Sequence, residues 1–488
     1  MSVSRAFFAI ALLACTFGLG AMELVGKEEQ PGHKVADRRF SIENAFISWA
    51  RENAVSVDWD SPAIAGPEAA AVKKIIGNSS IVALGEPAHG THEPLAYRNR
   101  LFRFLVEECG YTAIAMETGF TEARLLNDYV LGGPSNPFDI VQRGFTWGFG
   151  SAGENLELLQ WLRSHNSASE RKVRIYGIDI AGGSSGGEIE SVQSTLDAAL
   201  ALMEKPGVEA ASDFRRDLKP FLRGFSQKGY SSFSASERSQ FRAVLHDLIR
   251  AVERHREALV AASSRNEYDW ALHDVIVARQ VEQMLSLLPP DPPGGGLSPE
   301  FYKPANARDL AMAANVSWAL QNEGPHGKIL IFAHNAHVVN APLRGGLWSV
   351  YRQPAVVLGQ HLRKTFGHSL RIIATSSSVN DVELGLPNTK AGTIDGALHA
   401  TGRGAFILNM RSPVRDTVVQ NWLNTSQSLR ANLNTETTFI PSLAIDAIVH
   451  FPSLSKSRPA MPTPAHKTVR QDLRPAEAFA ADLPGGVP

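Results

Sequence analysis

Short apolar, β-branched runs recur along the chain at 81–85, 112–116, 173–180, 329–333, 355–358, 370–374, 405–410 and 447–451. Runs of this length and composition predict strands. Between the first three, apolar residues recur at helical spacing. In 95–108, Leu95, Leu101, Phe102, Leu105 and Val106 share one stripe, and 121–131 and 154–164 repeat the pattern. Alternation of strand and helix predicts an α/β fold with a mostly parallel central sheet flanked by helices.

Residues 188–288 break the alternation. Ala, Leu, Arg, Glu and Gln dominate there, and long helices are predicted at 236–263 and 268–288. The Pro- and Gly-rich run 289–296 then interrupts the chain, before a helix at 306–321 leads back into the strand at 329. The expected organisation is a signal peptide at 1–21, a first part of the core at 22–187 and a helical lobe at 188–325. The lobe is expected to cap the carboxyl ends of the strands. A second part of the core follows at 326–453. The segment 454–488, rich in Pro, Ala and charge without periodicity, is expected to be a disordered tail. No internal repeat is present.

Composition narrows the picture. The 488 residues are 44% hydrophobic, enough for a large core. A formal net charge of −1 gives no electrostatic basis for binding nucleic acid or an anionic membrane. A small molecule is the expected partner, and oligomeric state is not readable. Arg5, the apolar stretch 6–13 and small residues at 18–21 predict a secretory signal and an exported, periplasmic or secreted chain. That stretch is too short to be a stable membrane span. A weaker reading takes Leu12-Leu13-Ala14-Cys15 as a lipobox. Cys15 and Cys109 are the two cysteines, so loss of the signal leaves no internal disulfide and no cysteine zinc site.

The densest chemistry lies in IVALGEPAHGTHE, residues 81–93. A strand stops at Gly85, and Glu86, His89, His92 and Glu93 follow within eight residues. The other core strands also end on ionisable groups: Glu117, Asp179 and His334, with His337 one turn on. Ligand sites in open α/β sheets lie outside the carboxyl ends of the strands, and neighbouring ends are only about 5 Å apart. These residues therefore converge on one expected pocket. Each alone has a bland reading: a solvated glutamate, a capping His89, a core His334, a turn-forming Asp179. Together, in a chain with 15 histidines, they point to function.

Gly85 and Gly90 permit unusual backbone angles or close approach of a substrate, and Pro87 stiffens the loop. His92 and Glu93 open a helix whose N-terminus favours an oxyanion. An imidazole such as His89 is partly neutral near pH 7 and can take a proton from water. Glu86 or Glu117 would fix its tautomer and stabilise its charged form. Arg98 would bind a carboxylate or a developing oxyanion; the equally weighted alternative is a surface residue beside Arg100 and Arg103. Phe145, Trp147 and Phe149 read mainly as packing residues, the alternative being an apolar wall for a bulky ligand.

GEPAHGTHE, AMETGF, IYGIDI, NARDLAMAAN (306–315), FAHNAHV and LGQHL (358–362) resemble the erythromycin esterase family in order and spacing, over most of 75–375. The resemblance implies an α/β core with a helical lobe over a deep cleft. It implies hydrolysis of an ester or lactone, macrolides in the best-known members, by an activated water with no established metal requirement. It makes His89 the general base with Glu86 nearby, and Glu117 a contact to substrate or water. Arg98, His334 and His337 would line the cleft. Asp179, Arg308 and Asp309 match motif positions without an assigned role. The combined reading takes His89, Glu86 and Glu117 as catalytic, and Arg98, His334, His337, His92 and Asp179 as substrate-binding, with no cofactor.

Three other readings compete. Glu86, His89, Glu117, His334 and His337 form an oxygen–nitrogen set for zinc or manganese, although HExxH is absent. Residues 182–186 satisfy G-x-S-x-G around Ser184, but Asp179, Ile180 and Ala181 separate the motif from its strand. A periplasmic binding protein would use the same cleft without turnover; so many titratable groups count against it.

Overall fold

The computed structural model describes residues 31–180, 188–205, 211–290, 296–378, 389–432 and 435–461. The signal segment, Cys15, the Ser184 motif and the tail from 462 onward lie outside the described residues.

Eight strands form the main sheet: β1 (Val55–Ser56), β2 (Ile81–Glu86), β3 (Ala113–Gly119), β4 (Arg174–Asp179), β5 (Ile329–His334), β6 (Leu370–Ser377), β7 (Phe406–Asn409) and β10 (Ala447–Phe451). Their order is β1-β7-β10-β6-β2-β5-β3-β4. All pairs from β10 to β4 are parallel, whereas β7 runs antiparallel to β10 and to β1. The sheet is mostly parallel, as the alternating pattern predicts. β8 (Gln427–Asn432) and β9 (Thr435–Phe439), which the pattern did not predict, form a separate antiparallel pair.

Both faces of the sheet are covered. In β2, Val82 and Leu84 join one apolar cluster, and Ile81 and Ala83 join the other. Alternate side chains point to opposite faces, so a strand apolar throughout is one packed on both sides. Helices α1 (His92–Cys109), α2 (Ala123–Val130) and α3 (Gly153–Ala168) supply Leu101, Leu126 and Leu159 to the first cluster.

The lobe has its own core, built largely by α4 (Glu188–Met203), α5 (Ala235–Arg254) and α6 (Arg265–Ser286). That core includes Phe120 and Ile180, which directly follow β3 and β4. The lobe therefore seats on the carboxyl ends of those two strands. The long helix expected over 236–263 is broken at His255. Helix α7 (Tyr302–Asn322) returns along β4, where Asn315 Nδ2 donates to Ile178 O at 2.9 Å and Asn322 Nδ2 to Tyr176 Oη at 2.8 Å.

Two expectations need correction. Residues 355–358 are not a strand: Ala355 makes one isolated bridge to Leu343. The backbone N–H groups of Val356 and Leu358 instead donate to Asn306 Oδ1 and Asp309 Oδ1, both at 2.7 Å. The run is apolar because it is a buried entry into the helix Leu358–Phe366. Residues 454–461, expected within the tail, run in a defined path against the loops at 90–93 and 151–154.

β2 ends beneath a clamp. Asn335 Nδ2 donates to Thr375 O (2.7 Å) and Arg430 O (3.0 Å), and its Oδ1 accepts from Thr375 N (3.2 Å). The side chain thus ties the end of β5 to β6 across β2. A Cβ on Gly85 would stand 2.2 Å from Asn335 Oδ1. Gly85→Ala is expected to cost about 1–3 kcal/mol by overpacking, read as a lower urea midpoint. An unchanged midpoint would show that the clamp yields without cost.

Candidate active site

The strand register brings the ionisable ends together. Glu86 is the ladder partner of His334 across β2 and β5. Between Met116 and Gly119, β3 carries one residue more than β4 opposite it. A bulge of this kind re-aims side chains. Here Glu117 Oε2 accepts from the backbone N of His334 at 2.9 Å, while Oε1 faces Arg308 Nη2 at 2.9 Å and His337 Nε2 at 3.2 Å.

Arg308 reaches this cluster from α7. Its Nε donates to Asp179 Oδ1 (2.9 Å) and its Nη2 to Asp179 Oδ2 (2.6 Å). Trp147 donates its indole N–H to Asp179 Oδ2 at 3.0 Å, and its ring lies 4.9 Å from the Arg308 guanidinium carbon. Trp147 holds a left-handed backbone, φ 60°, a conformation that costs a non-glycine residue of order 1–3 kcal/mol. His337 Nδ1 bonds Asp309 Oδ1 at 2.9 Å, so both ring nitrogens face carboxylates. Burial opposes its charge, but Asp309 and Glu117 outweigh burial and raise its pKa to about 10. Burial would likewise raise Glu117, yet His337, His89 and Arg308 hold it well below the usual carboxylate range.

The second cluster is smaller. His89 Nδ1 lies 2.5 Å from Glu86 Oε1, a close imidazole–carboxylate pair. Burial disfavours a charged His89, but the charge and hydrogen bond of Glu86 prevail and its pKa stands above 6.5. Its ring is held between Phe149 (centroids 4.8 Å apart) and His334 (4.3 Å). His334 is the contrasting case: burial and the nearby His89 push its pKa well below 6.5, and its Nε2 makes no hydrogen bond to protein.

Arg98 is fully buried, not a surface residue. Neutral amides hold it: Nη1 donates to Asn155 Oδ1 (2.8 Å), and Nε and Nη2 to Asn99 Oδ1 (3.1 and 2.7 Å). Its guanidinium carbon lies 4.8 Å from the Phe332 ring centre. Burial lowers its pKa to about 10, against the raising influence of Glu86 and Glu154, so it stays cationic at neutral pH.

A cavity of about 230 Å³ opens onto these groups. Glu86, His89, Arg98 and Glu117 line it, with Trp147, Phe149, Phe332 and Ser457. Asp179, His334 and His337 are not among the residues that line it, and His92 turns away. The His92 Nδ1 bonds the buried carboxylate of Glu154 at 2.5 Å, because the first turn of α1 aims it at the start of α3. Four contributors escaped sequence reasoning: the linking role of Arg308, the amides Asn99 and Asn155, and Ser457. Only Arg308 gave a signal, as a charged pair with Asp309 in the motif NARDLAMAAN. Among the described residues, no group of three or more His, Cys, Asp or Glu side chains is arranged to hold a metal ion. The carboxylates of Glu117 and Asp179 are already engaged by Arg308.

Fold and site together define an α/β protein with an acid–base cluster at the carboxyl ends of its strands. Residues 106–454 match the family model described as erythromycin esterase, and the chain belongs to that family. It is 25% identical to erythromycin esterase type II of Escherichia coli over 342 residues, 68% of this chain and 77% of the relative. A shorter stretch of 106 residues, 22% of this chain and 25% of the relative, is 32% identical to the type I enzyme of Escherichia coli. Among solved structures, a Bacillus cereus protein superposes with a TM-score of 0.69 at 23% identity, covering 85% of this chain and 99% of that one. The erythromycin esterase mutant EreC, in its open conformation, gives 0.61 at 18% identity, covering 81% and 95%. These two show the shared fold. Family membership supports a hydrolase acting on esters of small molecules. The family match begins after Glu86, His89 and Arg98, so their roles rest on geometry. No helix among the described residues is long and apolar enough to cross a membrane.

The His337 shift carries into stability. A free imidazole titrates near 6.5 and this one near 10. The pairing therefore stabilises the fold fully below about pH 6.5, and this contribution fades as pH rises to 10. His337→Gln should flatten the fall in urea stability between pH 6.5 and 10. Identical slopes in both proteins would rule out a buried imidazolium.

Proposed function

We propose that the protein hydrolyses a carboxylic ester or lactone, with water deprotonated by His89. The observation that carries this reading is the Glu86–His89 pair, at 2.5 Å, opening onto a cavity that also holds the buried cation Arg98. Glu86 accepts the Nδ1 proton of His89, which leaves the Nε2 lone pair for water. His89 retains 31% of its side-chain surface, whereas Glu86 is almost wholly covered.

The water oxygen attacks the carbonyl carbon while its proton passes to His89 Nε2. Negative charge then gathers on the carbonyl oxygen, where Arg98 stabilises it. Burial without a direct carboxylate partner makes that guanidinium effective, because low dielectric strengthens its field. The tetrahedral intermediate collapses, the carbon–oxygen ester bond breaks, and His89 returns its proton to the departing alkoxide. Every step uses side chains of this chain and no cofactor is invoked. At about 230 Å³ the cavity is smaller than the ~300–1,000 Å³ of typical small-molecule sites. It would hold the ester and its flanking atoms, with the remainder of a larger substrate, a macrolide included, outside. Export through residues 1–21 belongs to the same proposal and is tested by the N-terminal residue of the secreted protein.

The natural substrate is to be found by screening esters and lactones, macrolides included, for addition of water by mass spectrometry. On a confirmed substrate, His89→Asn should lower kcat at least about a hundredfold with the unfolding midpoint unchanged; full activity in the folded variant would refute the mechanism. The base must be neutral and its pKa is raised, so kcat/KM should climb with pH through a midpoint above 6.5. Glu86→Gln removes the raising charge and should move that limb to lower pH. A limb that stays in place would assign the titration to another group.

A further inference from the structure

The family match ends at residue 454, but the chain continues along the active site. Ser455 O accepts from His92 N and Ser457 N donates to Gly90 O, both at 2.8 Å, so the segment pairs with the loop that carries His89. Beyond Ser457 it changes partner. Arg458 O accepts from Gly153 N at 2.6 Å, and Ala460 N donates to Ser151 O at 2.8 Å. Two isolated bridges, Thr91 with Lys456 and Ala152 with Pro459, mark the two pairings. Ser457 stands at the changeover and forms part of the cavity wall.

Buried acids anchor the segment on either side. The Glu93 carboxylate accepts from Ser455 N and Oγ, both at 2.7 Å. Glu154 Oε1, fully buried, accepts from Arg458 N (3.2 Å) and Nε (3.3 Å) as well as from His92. These ties run to the same loop and helix starts that place His89 and Asn155. We propose that residues 455–460 are a fixed wall of the active-site cavity, and that Ser457 sets the size of the group admitted to His89. The inference rests on the hydrolase reading for the identity of that group as an acyl or alkoxy part of an ester.

The test places a thiol at the wall. In the full chain with Cys15→Ser and Cys109→Ser, Ser457→Cys is labelled with methyl or benzyl methanethiosulfonate, which leaves a methylthio or benzylthio group and releases methanesulfinate. Diethyl pyrocarbonate then probes access, since it carbethoxylates imidazole without any turnover. The benzyl label should slow carbethoxylation of His89 at least tenfold, the methyl label less. Exposed His326 serves as the control within the same sample. Equal His89 rates in both labelled forms overturn the proposal. In parallel, kcat/KM is compared for p-nitrophenyl acetate and butanoate. The benzyl label should depress the butanoate value at least tenfold more than the acetate value, with most of the change in KM; equal depression overturns Ser457 as the size determinant. If the unlabelled protein cleaves no ester at all, the hydrolase reading fails, and the diethyl pyrocarbonate rates still decide the wall.

Discussion

One guanidinium joins the lobe to the chemistry. Arg308 belongs to α7, yet it bonds Asp179 at the end of β4 and Glu117 at the end of β3. Buried carboxylates this close would otherwise repel and take up protons. His337 first, then His89 and Arg308, supply the positive charge that keeps Glu117 ionised against its burial. Such a network returns its desolvation cost only when every member is partnered, so the position of each side chain constrains the rest. The strained backbone of Trp147 follows from that constraint, because its ring lies against Arg308 and its N–H bonds Asp179. Two residues later Phe149 packs on His89. The ion network thereby reaches the proposed base without touching it.

Three histidines within this small volume are placed in three different states. His337 sits between two carboxylates and is held charged well past neutrality. His334 is buried beside His89 and is held neutral. His89 has one carboxylate hydrogen-bond partner, which raises its pKa above 6.5, and a ring that stays partly open. Environment, not residue type, separates structural from reactive imidazoles. On that criterion His89 is the histidine that fits the base proposed above.

The convergence of Glu86, Glu117, Asp179 and His334 was legible in the sequence, because parallel strands must present their carboxyl ends on one edge. What each group does there was not. His92 lies next to the loop in sequence, but the helix that begins at His92 rotates it toward Glu154. Arg98 could not be told from its neighbours Arg100 and Arg103 by spacing. Its burial depends on Asn155, which arrives from a helix far along the chain. The apolar run 355–358 looked like a strand because burial and strand pairing produce the same composition. Side chains of Asn306 and Asp309 satisfy its backbone instead. The β8–β9 pair lacks a continuous apolar run, so no strand pattern marked it. Local pattern reports which residues are buried; it does not report what they are buried against.

The site also divides by origin. Glu86, Glu117, Asp179 and His334 stand at strand ends, where the sheet register fixes them, Arg308 and His337 stand on helices packed against the sheet, and His89 stands on the loop that leaves β2. The cavity is also walled by the loop at 147–152 and by Ser457, on the segment proposed above as a fixed wall. Loops tolerate sequence change far better than a buried strand end does. A shared reaction with divergent substrates is therefore what this construction favours. The type II erythromycin esterase of Escherichia coli is 25% identical to this chain, a distance that leaves such loops free to differ. Substrate differences among such relatives should accordingly track the two wall segments, while Glu86 and Glu117 answer to the geometry of the sheet.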